Sequence, residues 1–307
     1  MTVAIISHSD CLKHEMQEGH PECPERLSAI QDQLFASGID GFLQHVDAPL
    51  AKHHQLELAH DSAYIDSIFD NAPTEGLYHV DPDTWMGKHT LAAALRAAGA
   101  VIEATDRVIT GQNERAFCNV RPPGHHAEHD QGMGFCFFNN IVIGALHAIE
   151  HYGLSKVAVV DFDVHHGNGS EDIIGDNPHI LYCSTYQDQL YPGDTGDSRE
   201  GLVTNVPLKA GAGSREFRDA VTNHWLPALR EFQPEIIFIS AGFDAHIEDD
   251  MAQLELFDGD YVWVSRELGK VADEYAEGRI VSALEGGYIL SALGRSAVAH
   301  IKSLMRI

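Results

Sequence analysis

The chain has 307 residues, 44% of them hydrophobic and 21% charged, with a formal charge of −26 at pH 7. Those proportions are those of an ordinary soluble globular protein, and the length suits one large α/β unit with an ample core. The negative charge repels phosphate backbones and argues against nucleic acid as a partner, and no apolar run approaches the roughly 18 residues needed to span a bilayer, so no membrane partner is expected.

In chain order, the start Met1-Thr2-Val3-Ala4-Ile5-Ile6-Ser7-His8 reads as a first strand. It lacks the basic opening of a secretory signal, which points to the cytoplasm. Further short apolar runs at 116–120, 157–161, 179–185, 235–240 and 279–284 read as strands, with the first at 3–7. Helical patterns lie between them near 25–37, 89–110, 135–152, 214–231, 258–277 and 291–305. In 214–231, Phe217, Val221, Leu226 and Leu229 make a rough apolar stripe. Alternation of this kind predicts a parallel sheet covered on both faces. No repeat, low-complexity tract or Pro/Gly/Ser-rich linker divides the chain, so residues 1–307 are read as one domain. The five cysteines are scattered and never form Cys-x-x-Cys, which argues against a disulfide framework or a thiolate metal site.

The run Val157-Ala158-Val159-Val160-Asp161-Phe162-Asp163-Val164-His165-His166-Gly167-Asn168-Gly169 carries the most chemistry. A buried strand runs directly into carboxylates and imidazoles, and charged groups are seldom buried without a partner. Asp163 and His165 stand two apart, on one side of an extended chain. With Asp244, in Ala241-Gly242-Phe243-Asp244-Ala245-His246, they would complete three protein ligands and leave a fourth position open, the pattern of a catalytic zinc site. Two carboxylates and one imidazole also suit ferrous iron or manganese. A solvent-facing helix cap is the other reading of Asp244.

Arg121-Pro122-Pro123-Gly124-His125-His126-Ala127 is a loop stiffened by proline. Its adjacent histidines could serve one an attacking water and the other a leaving group, since imidazole titrates near neutrality. Asp161 and Asn168 would orient these rings. Glu285-Gly286-Gly287-Tyr288 places a phenol at a strand end, where it could donate to a developing oxyanion. All four groups follow predicted strands, and open α/β sheets bind ligands outside the carboxyl ends of their strands.

Taken together, the motifs 121–127, 161–168, 242–246 and 284–288 resemble those of the histone deacetylase superfamily, which includes acetylpolyamine amidohydrolases and acetoin-utilization proteins. Asn168, and the early Gly19-His20-Pro21-Glu22-Cys23-Pro24-Glu25-Arg26-Leu27, place the resemblance with the class II and bacterial branch. The likeness runs from about residue 8 to the C-terminus. It implies the arginase/deacetylase fold: a single-domain three-layer α/β/α sandwich around an eight-stranded parallel sheet. It also implies one Zn²⁺ per chain on Asp163, His165 and Asp244, proton transfer by His125 and His126, and carbonyl polarisation by Tyr288. A structural K⁺ would rest on Asp161, backbone carbonyls and Ser184. Phe135 and Tyr191 match the aromatic walls of an acyl-lysine tunnel, Met251 matches a rim position, and Arg26 matches an arginine of an inner acetate channel. Two departures stand out. Gly167 and His246 occupy positions where arginase relatives hold a second metal, and Met251 stands where polyamine-selective deacetylases carry an acidic residue. The stretch 79–86 falls where the family positions substrate backbone, through either Asp81 or Asp83.

The expectation is therefore a zinc-dependent amidohydrolase that removes an acyl group, foremost acetyl, from an amine such as acetyl-lysine. The division of labour between His125 and His126 stays open. The alternatives are a deacylase of acetylpolyamines or another small metabolite, and a non-catalytic acyl-lysine binding module. The acidic surface would attract lysine-rich tails or polyamines, or serve solubility alone. A homo-oligomer is compatible with all of these readings.

Overall fold

A computed structural model describes residues 2–193 and 196–307. The described residues form ten strands: β1 (Val3–Ser7), β2 (Gln44–Asp47), β3 (Tyr78–His79), β4 (Trp85–Met86), β5 (Arg115–Cys118), β6 (Val157–Asp161), β7 (Ile180–Gln187), β8 (Val203–Leu208), β9 (Ile236–Ala241) and β10 (Ile280–Leu284). Eight of them form one sheet in the order β2-β1-β5-β10-β9-β6-β7-β8, and β3 pairs with β4 in a small antiparallel ribbon. Every pairing in the large sheet is parallel. Strands β5, β6, β7, β9 and β10 are buried along their whole length, as expected when helices cover both faces. The helices Glu25–Ala36, Asp258–Tyr275 and Leu290–Leu304 pack together, as do Thr90–Ile109 and Asn140–Tyr152. No helix among the described residues is long and apolar enough to cross a membrane.

The expected fold class holds, with three local corrections. The edge strands β2 and β8 were not anticipated, because one flank of an edge strand lies outside the core. β2 reads Gln-His-Val-Asp and is mostly exposed, so it shows no apolar run. The helix expected over 135–152 begins only at Asn140, where the Asn139 side chain accepts from the Val142 N–H at 3.2 Å. Phe135 lies upstream with φ of 69°, a left-handed backbone that cannot enter a helix. The helix expected over 214–231 carries a π turn at Val221–Trp225, directly before Leu226–Phe232. Pro227 lacks the N–H an uninterrupted α-helix would need there, which accounts for the irregular turn. The stripe Phe217, Val221, Leu226 and Leu229 is buried as predicted.

The topology brings the chemistry together. β5, β10, β9 and β6 are consecutive in space although distant in sequence. Their carboxyl ends deliver, in that order, the His125-His126 loop, Glu285–Tyr288, Asp244, and Asp163 with His165.

Candidate active site

Asp163, His165 and Asp244 are buried and converge. Each offers an atom within 4.8 Å of the others, the one such group of three His, Cys, Asp or Glu among the described residues. His165 Nδ1 lies 3.1 Å from Asp163 Oδ1 and 3.2 Å from Asp244 Oδ2. Backbone donors hold the other faces of the carboxylates: Gly286 N–H to Asp163 Oδ2 at 2.8 Å, and Val164 N–H to Asp244 Oδ1 at 3.0 Å. His165 Nδ1 is hydrogen-bonded to Asp163 Oδ1, and Asp244 Oδ2, fully shielded from water, receives no hydrogen bond among the described residues. The cap reading of Asp244 is thereby removed.

Two glycines make this packing feasible. A Cβ on Gly242 would sit 2.0 Å from Asp163 Oδ2, and one on Gly286 would sit 2.0 Å from Asp244 Oδ2. No side chain other than hydrogen fits either position.

The two histidines are held differently. His125 Nδ1 meets the Asp161 carboxylate at 2.9 Å, while His126 Nδ1 meets the Asn168 side-chain oxygen at 2.7 Å. Burial alone would lower the His125 pKa, but the charges of Asp163 and Asp161 reverse that and raise it to about 10. His126 is pushed well below the usual histidine value by burial and by its cationic neighbours. At His165, burial is outweighed by Asp163 and Asp244, and the pKa rises to about 10. Asp244 is raised to about 6 by burial and by the Asp163 charge. The cluster carries more negative charge than its surroundings neutralise, so it retains protons.

Phe135 and Tyr191 stand beside these groups. The Tyr191 ring lies edge-on to His126 at 5.0 Å, and Phe135 lies edge-on to Tyr288 at 6.1 Å. Arg26 reaches beneath Tyr288, its guanidinium carbon 4.9 Å from the ring centre, and donates from Nε to Gly287 O at 2.7 Å. The Tyr288 phenol is raised well above its usual value by burial and by the nearby Asp244 charge. Ser184 pairs in register with Asp161 across β6 and β7, and its buried hydroxyl has no hydrogen-bond partner among the described residues. Met251 is tied through its N–H to Asp249, whose other oxygen accepts from Tyr288 N–H at 2.7 Å. That places Met251 beside the tyrosine loop. His246 points elsewhere, Nε2 to Asp258 at 3.2 Å. Of the two ribbon aspartates, Asp81 closes the turn by accepting from the N–H groups of Asp83 and Thr84. The Asp83 carboxyl is raised to about 6 by burial and by Asp81.

Three supports of the site were not singled out from sequence. Glu285 Oε2 accepts from the N–H groups of Gly124 and His125, at 2.7 and 3.1 Å, and so fixes the histidine loop from below. Arg121 braces that loop through Glu22, Cys11 O and His14 O, and Glu22 also pairs with Arg26. Asp249 anchors Tyr288 as described. Glu285, Glu22 and Arg121 lie within the motifs at 284–288, 19–27 and 121–127, and their signal is charge in segments otherwise destined for burial.

A buried Asp/His/Asp cluster, two differently paired histidines and a tyrosine at the carboxyl edge of a parallel sheet define a hydrolase of the deacetylase type. The chain belongs to the histone deacetylase family: residues 20–304 match the Histone deacetylase domain. It is 35% identical to Histone deacetylase 14, chloroplastic, of Arabidopsis thaliana, over 98% of this chain and 76% of that protein. It is likewise 35% identical to the Histone deacetylase-like amidohydrolase of Pseudomonas aeruginosa, over 88% of this chain and 73% of that one. The crystal structure of the HDA15 HD domain superposes with a TM-score of 0.93 at 33% identity, covering 99% of this chain and 88% of that one. The chain is a deacetylase, and the arginase/deacetylase fold expected from its motifs is the one it adopts.

Proposed function

We propose that the chain acts as a single catalytic domain, a zinc-dependent deacylase that frees an amine from its acetyl amide, with acetyl-lysine as the substrate class. The observation that carries this reading is the Asp163–His165–Asp244 cluster, whose donors converge while Asp244 Oδ2 goes without a hydrogen bond. A divalent cation answers both the excess charge and the orphaned oxygen. One imidazole and two carboxylates suit zinc and leave a position for substrate. Bound there, zinc would supply Lewis-acid polarisation of the acyl carbonyl and make water acidic enough to attack near neutral pH.

The remaining roles follow from the hydrogen bonds. His126 faces a neutral amide through Nδ1, so it stays an uncharged base and takes the proton of the attacking water. His125 faces the Asp161 carboxylate, which favours the imidazolium and suits it to protonate the departing amine. The Tyr288 hydroxyl donates to the oxyanion that develops on the acyl carbon's oxygen. Phe135 and Tyr191 flank the acyl chain and exclude water. Asp161 and the unpartnered Ser184 hydroxyl would hold a K⁺ beneath the cluster.

The test is metal content and turnover on an acetyl-lysine aminocoumarin amide, with acetylated spermidine assayed beside it. We expect one zinc per chain, loss of turnover on chelation and its return with added zinc. Full activity in metal-free protein would overturn the reading.

A further inference from the structure

His126 does not reach a carboxylate directly, yet one stands a single link away. Asn168 Oδ1 lies 2.7 Å from His126 Nδ1, and Asn168 Nδ2 donates to Glu128 Oε1 at 2.7 Å. Met133 Sδ lies 3.4 Å from the same Nδ2 and is only a weak acceptor. A side-chain amide presents a donor and an acceptor end of nearly equal shape, so its direction is set by a partner that cannot change roles. Glu128 is such a partner, since an ionised carboxylate only accepts. It holds Nδ2 and thereby turns Oδ1 toward the imidazole.

Glu128 is itself fixed. Its Oε2 accepts from Gln131 Nε2 at 2.6 Å, and its N–H donates to Gln131 O at 2.9 Å. Among the described residues it forms no ion pair with lysine, arginine or histidine, although the surface it partly occupies would allow one. Its negative charge is directed into the chain of hydrogen bonds.

From this geometry we infer that Glu128 is a positioning residue that sets the tautomer of His126 through Asn168. With Oδ1 as the sole partner of Nδ1 among the described residues, that nitrogen must carry the proton, and Nε2 must keep the lone pair that a general base needs. No hydrogen bond to His126 Nε2 is found among the described residues. The carboxylate also polarises the amide, strengthening its hold on the ring without placing a full charge beside it. The inference rests on the assignment of His126 as the base.

A substitution cycle tests it. Glu128→Gln leaves the Asn168 amide free to turn, and kcat should fall about 10-fold with KM little changed, the scale of losing a partner that orients a working imidazole. Asn168→Asp alone sets two carboxylates against each other and should also lower kcat. Combined, the glutamine can donate to the new carboxylate, so the double variant should be more active than Asn168→Asp alone. Losses that simply add would overturn the inference. An independent readout is the ¹⁵N spectrum of histidine-labelled holoenzyme, with the His126 signal identified by its absence in His126→Ala. We expect Nδ1–H alone in the unsubstituted protein and a mixture in Glu128→Gln. The same tautomer in both would refute the link. His126→Ala with retained turnover would instead sink the base assignment, and the ¹⁵N result would still decide whether Glu128 sets the ring.

Discussion

Replacing Gly286 with alanine is the most direct test of how the cluster is built. The new Cβ would lie 2.0 Å from Asp244 Oδ2 and 2.7 Å from Asp163 Oδ2, where real Cβ contacts stay beyond 3.0 Å. The backbone gives no other reason for failure, since Gly286 is not among the glycines with positive φ. Relief requires the Asp244 carboxylate to retreat by about 1 Å, and a misplacement of that size at a reacting centre costs about 100-fold in rate. Overpacking would add roughly 1–3 kcal/mol of destabilisation, modest for a core of this extent. The assay combines kcat/KM on an acetyl-lysine amide, zinc per chain by mass spectrometry, and the melting temperature. Gly41→Ala is the control, because a Cβ there meets no atom within 4 Å. Turnover of Gly286→Ala within about threefold of normal, with full metal content, would refute the claim that this close approach organises the site.

Tyr288→Phe should lower kcat by about 100- to 1000-fold with little change in metal content or hydroxamate binding, as for a lost oxyanion donor; near-normal turnover would make the turn merely structural. Glu22→Ala leaves Arg26 and Arg121, both with 0% exposure, without their shared carboxylate. It should cost roughly 3–5 kcal/mol by urea unfolding, and a loss below about 1 kcal/mol would contradict the burial argument. His60 accepts from Asn139 N–H and meets Glu128 O, and burial first, against weaker backbone contributions, lowers its pKa from 6.5 to about 4. The unfolded chain therefore binds the extra proton. The stabilisation is complete above pH 6.5 and is lost as pH falls toward 4, at up to roughly 1.4 kcal/mol per pH unit. Melting curves across that window should flatten in His60→Gln, and an unchanged slope would exclude His60 as the source.

How far the sequence could be read depended on what each residue's neighbours along the chain reveal. Asp163 and His165 stand out because a β-branched core run ends in them, and Asp244 because it follows another such run. Strand ends converge on one edge in this architecture, so the grouping of those three residues was inferable before any distance was known. The edge strands β2 and β8 were not, since a strand buried on one flank need not be apolar. The same limit hid the supports of the site. Glu285 lies 161 residues from Gly124, and Glu22 lies 99 residues from Arg121, so neither hydrogen bond leaves a local pattern. Such residues look like ordinary charges in the chain and become legible only as buried groups that must be satisfied.

That asymmetry has a consequence for the mechanism. The proposed reacting groups sit on short, recognisable motifs, but the protonation state of each histidine in 121–127 is set by a partner on a different motif, 161–168. His125 and His126 are adjacent and chemically identical, and spacing alone cannot tell acid from base. Their Nδ1 partners can: a carboxylate for one, an amide for the other. Removing the difference should remove the division of labour. An Asp161→Asn variant gives both rings an amide partner, so His125 should lose its preference for the charged form. The arm of the pH–rate profile that reports protonated His125 should then move to lower pH, while the arm assigned to His126 stays in place. Because Asp161 is also the proposed K⁺ ligand, the profile is measured at saturating potassium, with melting curves to confirm the fold. If both arms shift together, the two histidines titrate as one unit and the separate roles assigned to them are wrong.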